Sequence, residues 1–459
     1  MSAELLDTIL LGFNPKSRPL YLEIARCIEN AILKGQIAYQ DKLPSHRTLA
    51  SEIGSSAVTV RQAYQELENK ALLSSGVGKG TFVSFNVNLS AGIKGRTQNE
   101  LNLSLVAPLN GPLLKPLSVQ LSALANADLS AYCDYEADAG NPEQLAVLHQ
   151  WLKTQGIDCE QSQVIACHGA QHALLVAALA CTQVGDRVAV ESLCYPGILS
   201  VLRQTGRIPV PVALDEQGLV PNSLERLHEQ QTIRALMLVA SCQNPTGTVM
   251  PNQRRKQLAK VVKRCAIQVI DDDIYGFLAA EEIKPFYHFA PQQSIYLTSL
   301  SKCVSPSLRL GLLVVPKSSR DDYINLVRTT VWLPSPLLMQ LACQLISSGA
   351  VAKITQWQKR QALARQNLAK TMLNELEFVN QHLADHCAYH LWLYLPLGWT
   401  SQAFVEVMLG HHIHVSGEQH FSFEGKQRPA VRISLMATQN LSDLKHALGL
   451  IRDVLLRRI

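Results

Sequence analysis

No C-x-x-C pair occurs among the eleven cysteines, which scatter from Cys27 to Cys387. That spacing excludes a zinc ribbon, and the odd count argues against a disulfide framework, so the thiols read as reduced, small apolar side chains. Nor does any apolar run approach the roughly 18 residues that a membrane span needs, and the first fourteen residues carry acidic Glu4 and Asp7 where a secretory leader is basic. The expectation is a cytoplasmic protein with no membrane partner. Charge of one sign is scarce as well: 42 Lys and Arg against 37 Asp and Glu leave +5, too little for a chain that coats nucleic acid but enough to conceal one compact basic patch. Internal repeats and low-complexity tracts are absent. What is present is ordinary: 459 residues, 47% hydrophobic and 17% charged, enough for about three globular domains.

The first eighty residues are patterned differently from the rest. Ile24, Ala25, Ile28, Ala31 and Ile32 follow the i, i+3, i+4 spacing of one helix face, with Gly35 suited to the stop. Pro44 precedes Ser45, a cap for a second short helix carrying Leu49, Ala50 and Ile53, and Gly54 suits its exit. Ser55 or Ser56 caps a third, with Val60, Ala63, Tyr64 and Leu67 inward and Thr59 and Arg61 outward. Leu72-Leu73 and Thr81-Phe82-Val83 flank Gly76-Val77-Gly78-Lys79-Gly80, which reads as a hairpin tipped by lysine. Three helices and a hairpin make a winged helix-turn-helix; a plain helical bundle is the alternative.

Pro19-Leu20-Tyr21, the stretch Leu43 to Ala50, Thr59-Val60-Arg61 and the segment Gly78 to Val83 together resemble the DNA-binding domain of the GntR family. The resemblance implies a double-stranded DNA operator as partner and contacts from Lys42, Ser45, Arg47, Ser56, Thr59, Arg61 and Lys79, with Arg47 and outward residues of the third helix at base edges and the lysines and Arg61 at phosphates. Two cations common in that family are missing, at Ala57 and Gly76, which weakens or redirects contact because each neutralised phosphate adds affinity.

Residues 84–100 lack a period and read as a linker after a head of residues 1–83. Beyond it, Val164-Ile165-Ala166, Arg187 to Val190, Ala235 to Val239 and Ile267 to Ile270 alternate with helical stretches, the pattern of a mostly parallel sheet with helices on both faces. Ligands of such sheets collect at strand C-termini. There stand Asn244-Pro245-Thr246-Gly247 and Asp271-Asp272-Asp273-Ile274-Tyr275, followed by Ser299-Leu300-Ser301-Lys302 and Arg309-Leu310-Gly311. Each string alone fits a surface loop; their order and spacing resemble the fold-type I pyridoxal-phosphate aminotransferases over residues 101–459, with a small α+β subdomain from about residue 335.

That resemblance implies pyridoxal 5'-phosphate as cofactor and a role for each residue. Lys302 matches the catalytic lysine that forms the Schiff base, its alternative being a solvated surface amine. Asp272 matches the carboxylate that keeps the pyridine nitrogen protonated, leaving Asp271 and Asp273 as solvated neighbours. Tyr275 and Asn244 match the pair on the ring oxygen, and Tyr195 the ring stacked on the cofactor. Gly169-Ala170-Gln171 matches the turn whose N–H groups meet the phosphate, with Ser299 and Arg309 as side-chain ligands. Tyr135 resembles the tyrosine that reaches a neighbouring subunit's phosphate, which implies a homodimer; a cation common after Leu145 is replaced by Ala146. Arg432, in Val431-Arg432-Ile433-Ser434, resembles the grip on a substrate α-carboxylate, and a strand-edge surface arginine is the alternative. His411-His412-Ile413-His414 has no carboxylate or cysteine at ligand spacing, so a strand is expected there and no metal site.

A GntR-like head joined to an aminotransferase-like domain resembles the MocR-type regulators. The resemblance implies a DNA-binding regulator that senses pyridoxal phosphate, or an amino acid or amine upon it. A working aminotransferase with a DNA-binding head, and a degenerate head that only supports a dimer, stand beside it.

Overall fold

In the computed structural model the described residues are 6, 9, 12–33, 37, 41–69, 72–76, 80–83, 100–133, 140–376, 387–422 and 428–457. Gly35, Lys79 with the hairpin tip, Tyr135 and all of the 84–100 stretch except Glu100 lie outside them. The chain divides into two compact units, Met1–Asn88 with Ser422–Arg428, and Leu89–Phe421 with Pro429–Ile459.

In the smaller unit, helix α1 (Leu20–Leu33) buries Ile24, Ala25, Ile28 and Ala31, the face its spacing gives. Helix α2 (His46–Glu52) starts where the Ser45 hydroxyl accepts the Thr48 N–H at 3.2 Å. It exits through Gly54, whose φ of +63° suits a residue without Cβ. Of the two candidate serines it is Ser56 that caps helix α3 (Ala57–Asn69), taking the Thr59 N–H at 3.1 Å. Val60, Ala63 and Leu67 are fully buried, and the Tyr64 hydroxyl donates to the Pro44 carbonyl at 2.9 Å, tying α3 to the entry of α2. Strands β1 (Leu73–Gly76) and β2 (Gly80–Val83) pair antiparallel with Leu73 opposite Val83. The Leu43 N–H donates to Thr81 and the Val83 N–H to Asp41, so residues 41–43 extend the hairpin. Leu43, Leu72, Leu73 and Val83 share one core with the three helices, which a plain bundle lacks.

In the larger unit, β3 (Leu101–Asn102) comes first and the central sheet follows. Its strands are β4 (Val164–Cys167), β5 (Arg187–Glu191), β6 (Ile208–Val212), β7 (Ala235–Leu238), β8 (Gln268–Asp272), β9 (Ser294–Ser299) and β10 (Gly311–Val314). They lie in the order β4-β10-β9-β8-β7-β5-β6, with β10 alone antiparallel to its neighbours. Every residue of β4, β7, β9 and β10 is buried, as expected of strands covered on both faces.

The small sheet has the order β11 (His390–Tyr394), β14 (Ala430–Ser434), β13 (Ser416–Gly417). Its strands alternate: Leu391, Leu393, Val431 and Ile433 join the apolar core with the last helix, Leu441–Leu455, and His390, Trp392, Arg432 and Ser434 occupy the other face. The histidine-rich segment is a strand only at β12 (Ile413–His414), parallel to β3. His411 caps the preceding helix and His412 has a φ of +59°, because the chain must turn there before it can pair. His414 Nε2 lies 2.9 Å from Glu100, and among the described residues no cluster of three metal-ligating side chains exists. Among them, too, no single helix is long and apolar enough to cross a membrane.

Candidate functional site

Parallel pairing puts the C-terminal ends of β5, β7, β8 and β9 on one edge of the sheet, with Glu191, the 239–244 loop, Asp272 and Ser299. Strand β10 runs the other way and begins at that edge, with Gly311 opposite both Ser299 and Cys167. Register alone therefore gathers Gly169, Ser299 and Arg309. The approach is close: a Cβ on Gly311 would lie 2.6 Å from the Gly169 backbone, and one on Gly169, at φ +80°, would lie 2.7 Å from the Arg309 guanidinium. Arg309 holds a left-handed φ of +46° and donates to the His168 carbonyl at 3.3 Å.

Helix α4 (Ala170–Cys181) starts at Gly169 with no side-chain cap, so its first N–H groups, of Ala170 and Gln171 among them, have no side-chain partner at the cap and carry the positive end of the helix dipole. The Gln171 side chain goes elsewhere and donates to the Gly197 carbonyl at 2.9 Å, steadying the turn in which Tyr195 starts helix α5 (Pro196–Gln204). Ser299 accepts the Ser301 N–H at 3.2 Å, and this opens the one-turn helix α6 (Leu300–Cys303) that carries Lys302.

The Lys302 amine is no surface group. It donates to the Val106 carbonyl at 2.6 Å, and burial first, then the cations Arg432 and Arg309, bring its pKa down to about 8 against the pull of Asp272. Asp272, 2% exposed at the end of β8, is pushed up to about 7 by burial. Asp271 and Asp273 are not solvated as expected; they are 0% and 3% exposed. Parallel strands bury both faces, so all three acids go inside. Asp271 accepts the Tyr287 N–H at 2.9 Å, Asp273 the Tyr296 hydroxyl at 3.0 Å, and both lie in the field of the fully buried Arg255. Among the described residues Asp272 has only the Ile274 N–H, at 3.4 Å, and no cation within ion-pair distance. The cation whose field reaches the outer two is Arg255, and the one whose field reaches the middle acid is Lys302.

Arg432 lies on the central strand of the small sheet, 7% exposed, and not at a surface edge. Its Nη1 donates to Asn244 Oδ1 at 2.8 Å and its Nη2 to the Ser104 carbonyl at 2.5 Å, with Phe421 packed 4.8 Å from the guanidinium. A guanidinium only donates, so Asn244 presents its oxygen to Arg432 and keeps its NH₂ for another acceptor. Tyr275 is buried, and burial raises its hydroxyl well above the usual range, so it stays a donor.

Sequence reasoning missed three side chains that hold this site. Gln243 donates to the Leu193 carbonyl at 2.6 Å and accepts from Thr246, locking the turn that carries Asn244. Tyr389 donates its hydroxyl to the Lys302 carbonyl at 2.8 Å. His390 donates to the Gln243 carbonyl at 3.1 Å. Only Gln243 had a signal, its place just before Asn-Pro-Thr-Gly.

On the head, Lys42, Ser45, Arg47, Ser56 and Arg61 are exposed, and Thr59 is half-buried with its hydroxyl 2.9 Å from that of Ser56. The Lys42 amine lies 5.8 Å from the Phe82 ring centre. Both serines are therefore occupied as helix caps.

The donor set fits pyridoxal phosphate: an uncapped helix start beside a guanidinium for the phosphate, an unpaired buried carboxylate for a ring cation, and a desolvated lysine amine for an aldehyde. The family described as "Aminotransferase class I and II" matches residues 99–451, and that described as "Bacterial regulatory proteins, gntR family" matches residues 20–83. The chain is 27% identical to the "Uncharacterized HTH-type transcriptional regulator YdeF" of Bacillus subtilis over 95% of each chain. It is 26% identical to the "Probable rhizopine catabolism regulatory protein MocR" of Rhizobium meliloti over 80% of this chain and 78% of that one. Among solved structures, the α-aminoadipate aminotransferase LysN of Thermus thermophilus, complexed with N-(5'-phosphopyridoxyl)-L-leucine, superposes with a TM-score of 0.70 at 20% identity, covering 77% of this chain and 92% of that one.

Proposed function

The chain belongs to the class I and II aminotransferase family and joins it to a gntR-family head, the MocR-type architecture of transcriptional regulators; from that premise we propose that it binds pyridoxal 5'-phosphate at Lys302 and an amino acid or amine beside it, and that their binding sets its affinity for a double-stranded DNA operator. The observation that carries this reading is a half-buried lysine whose amine donates to the Val106 carbonyl at 2.6 Å in the shared field of a buried carboxylate and two guanidiniums. Bound there, the cofactor supplies an aldehyde that condenses with amines and a pyridinium that withdraws electrons.

The chain's own residues do the rest. Lys302 offers an amine that is unprotonated in about a tenth of molecules at pH 7, against well under a thousandth for a free lysine. Asp272 holds the proton on the ring nitrogen, and in return the ring cation restores its ionised form. Asn244 and Tyr275 donate to the ring oxygen and Tyr195 covers the ring face. Ser299, Arg309 and the N–H groups of Ala170 and Gln171 bind the phosphate. Arg432 takes the ligand carboxylate in a two-pronged grip and Tyr135 reaches across a homodimer. On the head, Arg47, Thr59 and Arg61 meet base edges and phosphates, with Lys42 and Lys79 at the wing and Ser45 and Ser56 at the two helix starts.

The ligand changes DNA affinity only through a difference in its affinity for two arrangements of the paired heads. This work belongs in the cytoplasm. The retained Lys302, Asp272 and Arg432 favour a second reading, a turning-over aminotransferase. Both are tested by titrating the full-length protein with pyridoxal phosphate and then each of the twenty amino acids, following visible absorbance, keto-acid formation and affinity for DNA flanking its own gene. A spectral change with altered DNA affinity and no keto acid supports the sensor. Keto acid with unchanged DNA affinity supports the enzyme, and no absorbance change at all defeats both.

A further inference from the structure

Two adjacent strands of the small sheet grip two consecutive residues at the edge of the large one. From β14, Arg432 donates to the Asn244 side chain at 2.8 Å; from β11, His390 donates Nε2–H to the carbonyl of Gln243 at 3.1 Å. His390 pairs across the strands with Ser434, two residues from Arg432 and on the same face. It is 1% exposed, and its backbone carbonyl accepts from Gln366 at 3.0 Å, which also donates to the Ala388 carbonyl. Backbone and ring are therefore both fixed.

A carbonyl only accepts, so Nε2 carries the imidazole proton and Nδ1 is bare. Burial and the cations Arg432 and Lys302 keep the ring neutral. Nδ1 has no hydrogen-bond partner among the described residues. The ring stands edge-on to Tyr275, centroids 6.1 Å apart, with Tyr275 in turn edge-on to Tyr389 at 6.0 Å. One side chain thus touches the backbone leading into Asn244 and the ring of Tyr275, the two residues proposed for the cofactor's ring oxygen.

We infer that His390 is a positioning residue: its Nε2–H fixes the Gln243–Asn244 backbone, and through it the angle at which the Asn244 NH₂ meets the ring oxygen. The inference rests on the proposal that pyridoxal phosphate binds at Lys302. Donors on the ring oxygen lower the pKa of the imine at Lys302, so a loosened Asn244 raises it.

The substitutions that isolate this role are His390→Gln, whose amide N–H reaches where Nε2 stands, and His390→Asn, whose amide reaches only where Nδ1 stands. In the cofactor-loaded full-length protein the pH midpoint of the visible band is expected to stay at the parent value in His390→Gln. In His390→Asn it is expected to rise by about one unit, a tenfold change in the equilibrium, at unchanged cofactor stoichiometry. Equal midpoints in parent and both variants, or equal shifts in both, overturn the role. Should either variant fail to melt cooperatively, the nitrogen-15 spectrum of the parent decides: a protonated Nε2 supports the inference and a protonated Nδ1 overturns it. A parent that develops no visible band overturns the cofactor reading itself, and this inference with it.

Discussion

The Lys302 amine and the Val106 carbonyl, 196 residues apart in sequence, meet at 2.6 Å. The carbonyl satisfies one N–H but carries no charge, so the ammonium is left without the compensation an aspartate at contact distance would give. Burial of that amine, with the cations Arg432 and Arg309 near it, brings its pKa down to about 8.

The rate of cofactor capture should therefore rise about tenfold per pH unit below 8 and flatten above it. Stopped-flow absorbance from pH 6 to 10 measures this. A rate still climbing tenfold between pH 9 and 10 would mean an ordinary solvated lysine.

Asp272 gives a stability test whose sign is fixed. Its carboxyl loses its proton near 3.8 in the unfolded chain and near 7 in the folded one. Between those values the folded state keeps a proton the unfolded state has released, so the contribution to stability falls as pH rises and levels off above 7. Asparagine does not titrate. The advantage of cofactor-free Asp272→Asn over the parent in denaturant melts should grow from pH 4 to pH 7, reaching on the order of 2–4 kcal/mol. A difference independent of pH would show that Asp272 is ionised in the fold.

Much of the fold was legible because buried parallel strands write continuous apolar runs and the head's helices write caps. Ser45, Gly54 and Ser56 each mark an end by local chemistry alone. The candidate site was legible where its proposed residues sit next to a strand end, as Asn244, Asp272 and Lys302 do. Strands β9 and β10 were missed as strands since the motifs at their ends, Ser299 to Lys302 and Arg309 to Gly311, drew the reading. Asp271 and Asp273 were misread because acids are usually solvated; Arg255, seventeen or so residues upstream, carries no sequence signal that it buries itself beside them. His390, Tyr389, Ser104 and Val106 act through long-range contacts with no spacing rule.

Arg432→Lys keeps the charge but loses the fork that reaches Asn244 and Ser104 together. Affinity for a carboxylate-bearing ligand should fall about 10–100-fold by spectral titration, with the cofactor's own band retained. Unchanged affinity would remove Arg432 from the ligand site.

On the head, Ser56→Ala removes the α3 cap and should lower stability by about 1 kcal/mol. Arg47→Ala, at an exposed position on α2, should leave the melt unchanged and weaken binding to DNA flanking the chain's own gene by about tenfold. Calorimetry and binding at fixed salt separate the two effects. Equal DNA affinity of Arg47→Ala and parent would move the reading surface off the start of α2.

The most direct measurement is borohydride reduction of the protein loaded with pyridoxal phosphate, followed by digestion and mass mapping. The phosphopyridoxyl mass is expected on the peptide containing Lys302, near one per chain, and absent from Lys302→Ala. The same mass on another lysine, or at equal yield in Lys302→Ala, would contradict the account.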